Sequence, residues 1–421
     1  MNTLRWCWRE LVRPRGRVNP ANPMFEERRA RGSQGGIALL LVIASITFIT
    51  VIVTEVNYAA RVRLLMAANE RNEVGAQYLA HSGINIYRLV LVADKQLSGS
   101  LGEMIPFPVQ GLWQMVPAIN TGLLRMFFGS GGSLDSDEIE EFKDEGVTDE
   151  IREESRAASR FDDKNFLDFD GDFAAEVTDA DSRINIKKLG RGCIGDGALS
   201  CTTLADLQAD PVALQLYGLM SGTEEDQWFY ERNIDRWELI SNLYDWTDLD
   251  TNRIFRGGYE DGLYNTGDSP YLSKNAPFDT KEEIRLVAGW DDEVYDKYAD
   301  QITIYGSGKV NVNTASDEVI LGMARAWVIP TPNDQQMQTF LERKQEHTLL
   351  FDFGSPKDFV TFLTENFTGE VREGLEAQIT TESATFIVTS EGLVGDTNAK
   401  ATAVFDFSDS NTGRVKYWRM E

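Results

Sequence analysis

Histidine is nearly missing from this chain of 421 residues, which has only His81 and His347. The two lie far apart without HExxH spacing, so they offer no zinc-protease site and read as ordinary surface or packing residues. Cysteine is almost as scarce, at three, and no neighbouring residue pair turns Cys193 or Cys201 into a thiol nucleophile. Basic residues are in the minority, 41 Lys and Arg against 67 Asp and Glu, for a net charge of −26. An acidic body repels phosphate backbones, so nucleic acid is not expected as a partner. No catalytic constellation emerges, and the chain does not read as an enzyme.

What is present begins with a single apolar run. Ile37 to Thr54 reads IALLLVIASITFITVIVT, 18 residues without a charge. At about 1.5 Å per residue it nearly spans a bilayer core. Eight arginines and three glutamates precede it, and that charge bias puts residues 1–36 in the cytoplasm and the acidic body across the membrane. A secretory signal has its small-residue cleavage site after the apolar core. Here Ser33, Gly35 and Gly36 come before it. The layout resembles a type IV pilin-like precursor, which implies cleavage after Gly36 by a prepilin peptidase and N-methylation of Ile37. Most such proteins have Glu at the fifth mature position, where this chain has Leu41. An ordinary signal anchor is the other reading of this segment.

Beyond the run, Val56, Ala60, Leu64, Ala67, Ala68, Val74, Tyr78 and Ile86 recur at helical spacing. One helix from Ile37 to about Lys95 would be roughly 90 Å long, with Gly75 and Gly83 as places to bend. Its amphipathic outer half needs a globular head to lie against. Residues 98–132, broken by three prolines, read as a buried insertion. Asp135–Asp181, with 19 acidic and five basic residues, reads as a solvated face or loop. Cys193 and Cys201 bracket a Gly-rich loop outside the membrane, where a disulfide is expected and two free thiols are the alternative. Closing so short a loop contributes about 2–3 kcal/mol. Residues 204–375 carry mainly helical patterns. ATFIVTSEGLV, AKATAVFDFS and RVKYWRM then alternate as antiparallel strands. The expected fold is α+β: a long N-terminal helix with an antiparallel sheet, interrupted by a large all-α insertion. The divisions are 1–36 leader, 37–97 membrane and spine helix, 98–203 variable insertion and first part of the head, 204–375 helical insertion and 376–421 closing strands.

Three stretches are specific to a family. They are Asp181-Ser-Arg-Ile-Asn-Ile-Lys-Lys-Leu189; Leu243-Tyr-Asp-Trp-Thr-Asp-Leu-Asp250, on through Gly257-Gly-Tyr-Glu-Asp-Gly-Leu-Tyr264, Lys274–Phe278 and Glu282–Gly289; and Ile302–Tyr305 with Gly308-Lys-Val-Asn-Val-Asn-Thr-Ala-Ser316. Together they resemble the K-type minor pseudopilins of the type II secretion system (general secretion pathway protein K), a family that also lacks the fifth-position glutamate. The resemblance covers the anchor and most of 180–421. It implies a single-pass protein of the Gram-negative inner membrane with its body in the periplasm. It also implies a place at the pseudopilus tip with the I- and J-type minor pseudopilins above the major pseudopilin. In ordinary pilins the glutamate is thought to neutralise the N-terminus of the subunit ahead. A leading subunit has none ahead, and an unpartnered charge in lipid is costly.

One ion site is plausible. Asp245, Asp248, Asp250 and Asn252 offer oxygens on a short loop, and Glu260 and Asp261 follow a Gly-Gly turn. Hard oxygen donors without His or Cys suit Ca²⁺, and the resemblance implies calcium in the helical domain. Arg253 and Tyr259 stand where an EF-hand needs Gly and Glu, so this is not an EF-hand. An Asp-rich turn capping helices is the alternative, and it is the preferred reading of the second acidic loop, Asp168-Phe-Asp-Gly-Asp172. Gly306-Ser-Gly-Lys309 resembles a phosphate loop, but Val310 replaces the Mg²⁺-binding Ser or Thr. Asn311–Ser316 resembles the opening of a helix-hairpin-helix module, which keeps a membrane-anchored pilin-like binding protein, for DNA or another ligand, as the second function class.

Overall fold

The computed structural model describes residues 34–101, 111–128, 169–193, 200–265, 269–348 and 352–421. Residues 1–33 of the leader, most of the acidic run and Asp168 lie outside the described residues. Two units are distinguished, Met1–Ala67 and Ala68–Glu421.

Gln34–Leu101 is one helix of 68 residues. In the first unit its apolar side chains stand exposed, from Ile37 through Val53, and the segment is long and apolar enough to cross a membrane. Ser45, Thr47, Thr50 and Thr54 give their hydroxyl hydrogens to carbonyls three or four residues back. Each polar group is thereby satisfied inside the helix, as lipid requires.

In the second unit the helix buries a stripe against a sheet. Ala80, Ile84, Tyr87 and Leu91 fall on one helical face and are fully buried. Five strands form the sheet, all antiparallel and spatially in chain order: β1 (Ala118–Asn120), β2 (Asp172–Asp179), β3 (Thr385–Val394), β4 (Thr397–Asp406) and β5 (Arg414–Met420). Alternate residues point at the helix, namely Phe173 and Ala175, Phe386 and Val388, and Ala401, Ala403 and Phe405. Gly75 and Gly83 do not act as breaks, because the helix runs through both. They admit the sheet: a Cβ on Gly83 would stand 2.2 Å from Ser390 Oγ and 2.8 Å from Phe173. Part of the Pro-rich insertion also belongs to the sheet, since Ala118–Asn120 supplies its first strand.

Between β2 and β3 the chain builds a helical body with its own core, running from Ile184 to Ile379. Its Asp, Ser and Thr residues start helices. Thr203 and Asp206 form a capping box, and Asp210 accepts from Val212 and Ala213 N–H ahead of Pro211. Asp235, Asp291, Ser316 and Ser355 cap the helices Arg236–Thr247, Asp292–Tyr298, Asp317–Trp327 and Pro356–Asn366. The helices Pro211–Leu219 and Asp317–Trp327 touch through glycine, since a Cβ on Gly218 would stand 2.1 Å from Gly322 O. Cys193 and Cys201 are joined as a disulfide with Cα atoms 5.0 Å apart.

Candidate metal centre

The helix Arg236–Thr247 is fixed by its packing. Trp246 is buried and donates to Glu283 Oε1 at 3.1 Å, and Leu239 and Leu243 are in the core. That placement carries Asp245 inward near the helix end, and Asp248 follows as the C-cap residue. The chain then turns back on itself. Asn252 bridges Tyr259, and Arg253 N–H donates to Gly258 O at 3.0 Å. Gly257 and Gly258 take positive φ of 67° and 101°, which a Gly pair adopts without strain. The return puts Glu260 beside the aspartates. One carboxylate oxygen from each of Asp248, Asp250 and Glu260 lies within 4.8 Å of the others.

These groups are not spent as caps. Both oxygens of Asp248, both of Glu260 and Oδ2 of Asp245 are buried without a hydrogen-bond partner among the described residues. Asp245 Oδ1 accepts from Ile254 N–H at 3.2 Å, and Asp250 Oδ1 from Asn252 N–H at 2.7 Å. Burial first, then the neighbouring carboxylates, pushes Asp248 up to about 8. Burial likewise raises Asp245 and Glu260 to about 7 each. Clustered, buried, unpaired carboxylates are costly unless a cation or a proton joins them.

Asp261 and Asn252 have other contacts. Asp261 Oδ1 accepts from Ser273 N–H and Oγ, both at 3.1 Å, and holds the following loop in place. Asn252 contributes its backbone to the turn. Asn275 is a further candidate that loop spacing could not reveal. Its Nδ2 donates to Asp250 O at 2.8 Å, while its Oδ1 is buried and unpartnered. The donor set is all oxygen, as a hard cation such as Ca²⁺ requires. In the second acidic loop, Asp172 pairs with Arg125 at 3.2 Å.

A second carboxylate pair joins the helical body to the sheet. Asp179 closes β2, and its Oδ2 accepts from Ser383 Oγ and Thr314 Oγ1, both at 2.5 Å, and from Asn311 Nδ2 at 3.3 Å. Asp181 Oδ1 accepts from Ser307 N–H and Oγ, and Oδ2 from Ala384 and Thr385 N–H. The Gly306–Lys309 loop therefore cradles a carboxylate, not a phosphate. Asn313 Nδ2 donates to Phe353 O and Thr381 O, and Asn313 Oδ1 accepts from Phe353 N–H. The Asn311–Ser316 stretch is committed to internal contacts.

Burial drives the Asp179 carboxyl up to about 6, although the Ser383 and Thr314 hydrogen bonds pull it down. Its unfolded value is about 3.9, so the folded state binds the proton more tightly. Stability from this group is therefore highest below about pH 4 and declines as pH rises through about 6. At constant saturating calcium, Asp179→Asn should flatten the fall in melting temperature over that window. Wild-type and variant curves that run parallel with pH would contradict this.

Residues 182–307 match the family described as Type II secretion system (T2SS), protein K. Type II secretion system protein K of Aeromonas hydrophila is 24% identical over 248 residues, which is 56% of this chain and 67% of that one. A chain in the crystal structure of the GspK-GspI-GspJ complex from enterotoxigenic Escherichia coli is similar at 16% identity and a TM-score of 0.44. That likeness covers 60% of this chain and 80% of the other.

Proposed function

We propose that this chain, whose residues 182–307 match the type II secretion system protein K family, is a minor pseudopilin that caps the tip of the secretion pseudopilus. One coincidence carries the reading. The family match spans the whole carboxylate cluster, and an apolar helix long enough to cross a membrane precedes the body it belongs to. The helix holds the protein in the inner membrane as a single pass, with the acidic body in the periplasm. Prepilin peptidase removes residues 1–36, and Ile37 becomes the methylated N-terminus. I- and J-type minor pseudopilins join the subunit at the tip, with the major pseudopilin below. Leu41 suits a leading subunit, which has no N-terminus ahead of it to neutralise. The role is structural and needs no catalytic group.

Calcium is the cofactor of this reading. Asp245, Asp248, Asp250 and Glu260 would hold it with help from Asn275; the buried, unpartnered oxygens of Asp245, Asp248, Glu260 and Asn275 fit such an ion, with Asp250 at the exposed side. Bound there, calcium supplies charge neutralisation. The side chains themselves tie the end of helix Arg236–Thr247 to the returning loop.

Processing tests the placement in the membrane. Gly36→Leu should leave the Arg-rich leader attached, detected as a heavier band and as intact N-terminal sequence. Wild-type protein from cells should begin at Ile37. A wild-type chain that keeps residues 1–36 would contradict the pilin-like reading.

A further inference from the structure

The helical body and the outer face of the sheet enclose a cleft made of two recesses, of about 520 and 340 Å³. Both recesses are lined by Ile304, Tyr305 and Tyr417. In a chain of net charge −26, this cleft is cationic. Lys187 and Lys188 enter the larger recess, and Arg183, Lys281 and Arg419 the smaller.

Most of the carboxylates that also line the cleft are already paired. Asp279 binds Lys274 at 2.8 Å, Asp406 binds Lys416 at 3.1 Å, and Glu421 pairs with Arg419. Glu282 makes no ion pair among the described residues but attracts both Lys281 and Arg419. The basic groups are less well compensated. Lys187 and Lys281 donate to neutral carbonyls, Phe278 O and Ala299 O, each at 2.9 Å, and are attracted only through space, Lys187 by Asp279 and Lys281 by Asp300 and Glu282. Asp300 and Asp179 attract the Arg183 guanidinium from a distance, and no hydrogen bond reaches it among the described residues. Lys188 faces Lys187 and Arg191, and its stem lies against Gly308. A half-buried cation that no carboxylate touches gains when an anion arrives beside it.

β5 forms one wall and is the edge of the sheet. Tyr417 and Arg419, two apart on that strand, turn towards the cleft. The other edge of β5 pairs with no strand among the described residues, so an extended backbone can hydrogen-bond along it. We infer that this cleft is a docking site for an extended acidic peptide segment of a partner protein, whose carboxylates meet Arg183, Lys187, Lys188 and Lys281. The inference concerns binding alone and stands independently of the secretion role.

Fluorescence anisotropy of the full chain in detergent micelles tests it. The probe is a labelled peptide of alternating Glu and Val, with a peptide of alternating Lys and Val as control. The acidic peptide should bind saturably and more weakly as salt rises. Lys188→Glu with Arg419→Glu should weaken binding about tenfold, as the loss of a few charge contacts implies. Lys187→Gln with Lys188→Gln removes charge without reversing it and should weaken binding in the same direction. An unchanged melting temperature shows that each variant is folded. The proposal is overturned by absent binding, by equal binding of the basic peptide, or by affinity that neither pair of substitutions alters. Displacement by inorganic phosphate at matched charge would also overturn it, because that would mark a small-anion pocket.

Discussion

Removing calcium with a chelator should lower the melting temperature of this protein by about 5 °C relative to calcium at one hundred times its Kd. Such saturation corresponds to about 2.7 kcal/mol of stabilisation. Asp248→Asn with Asp250→Asn should abolish the difference between the two conditions. The pair should also melt higher than wild type in chelator, because Asp248 has two buried oxygens without a partner and sits beside Glu260 and Asp250. Replacing charge by amide relieves that repulsion once no cation is present. Differential scanning calorimetry in calcium and in chelator reads all of this. Identical wild-type curves in both conditions would rule the metal centre out.

Asp181→Ala should be the most damaging single substitution at the junction between the sheet and the helical body, at about 3–5 kcal/mol. The carboxylate is buried and accepts from Ser307 N–H and Oγ on one oxygen and from Ala384 and Thr385 N–H on the other. Truncation strands those donors in a dry site. Urea denaturation in saturating calcium measures the loss, and Asp181→Asn should recover part of it. A loss below about 1 kcal/mol would show that water replaces the carboxylate easily.

The spine helix and the three closing strands are legible in the sequence because each has a clean period. Apolar residues recur at helical spacing before Leu91 and alternate after Thr385. β2 is harder to see. Asp172–Asp179 lies at the end of an acidic run, and its inward positions are Phe173, Ala175 and the half-buried Val177, too small a signal to outweigh the charge around them. β1 is three residues long and owes its existence to pairing with β2, a contact that no local pattern announces.

At the candidate site, the sequence supplies the acidic loop and the absence of His and Cys. The partners that decide which oxygens stay free come from elsewhere in the chain. Ser273 engages Asp261, and Asn275 reaches Asp250 across 25 positions. The hub on Asp179 and Asp181 is hidden for the same reason. Its donors sit at Ser307, Asn311, Thr314 and 383–385, more than 120 residues downstream.

The central claim is that this chain leads a pseudopilus. The most direct measurement is its copy number relative to the major pseudopilin in purified pseudopili, by quantitative mass spectrometry. The account predicts very few copies per filament, each beginning at Ile37. Copy number equal to that of the major subunit, or absence from the filaments altogether, would contradict it.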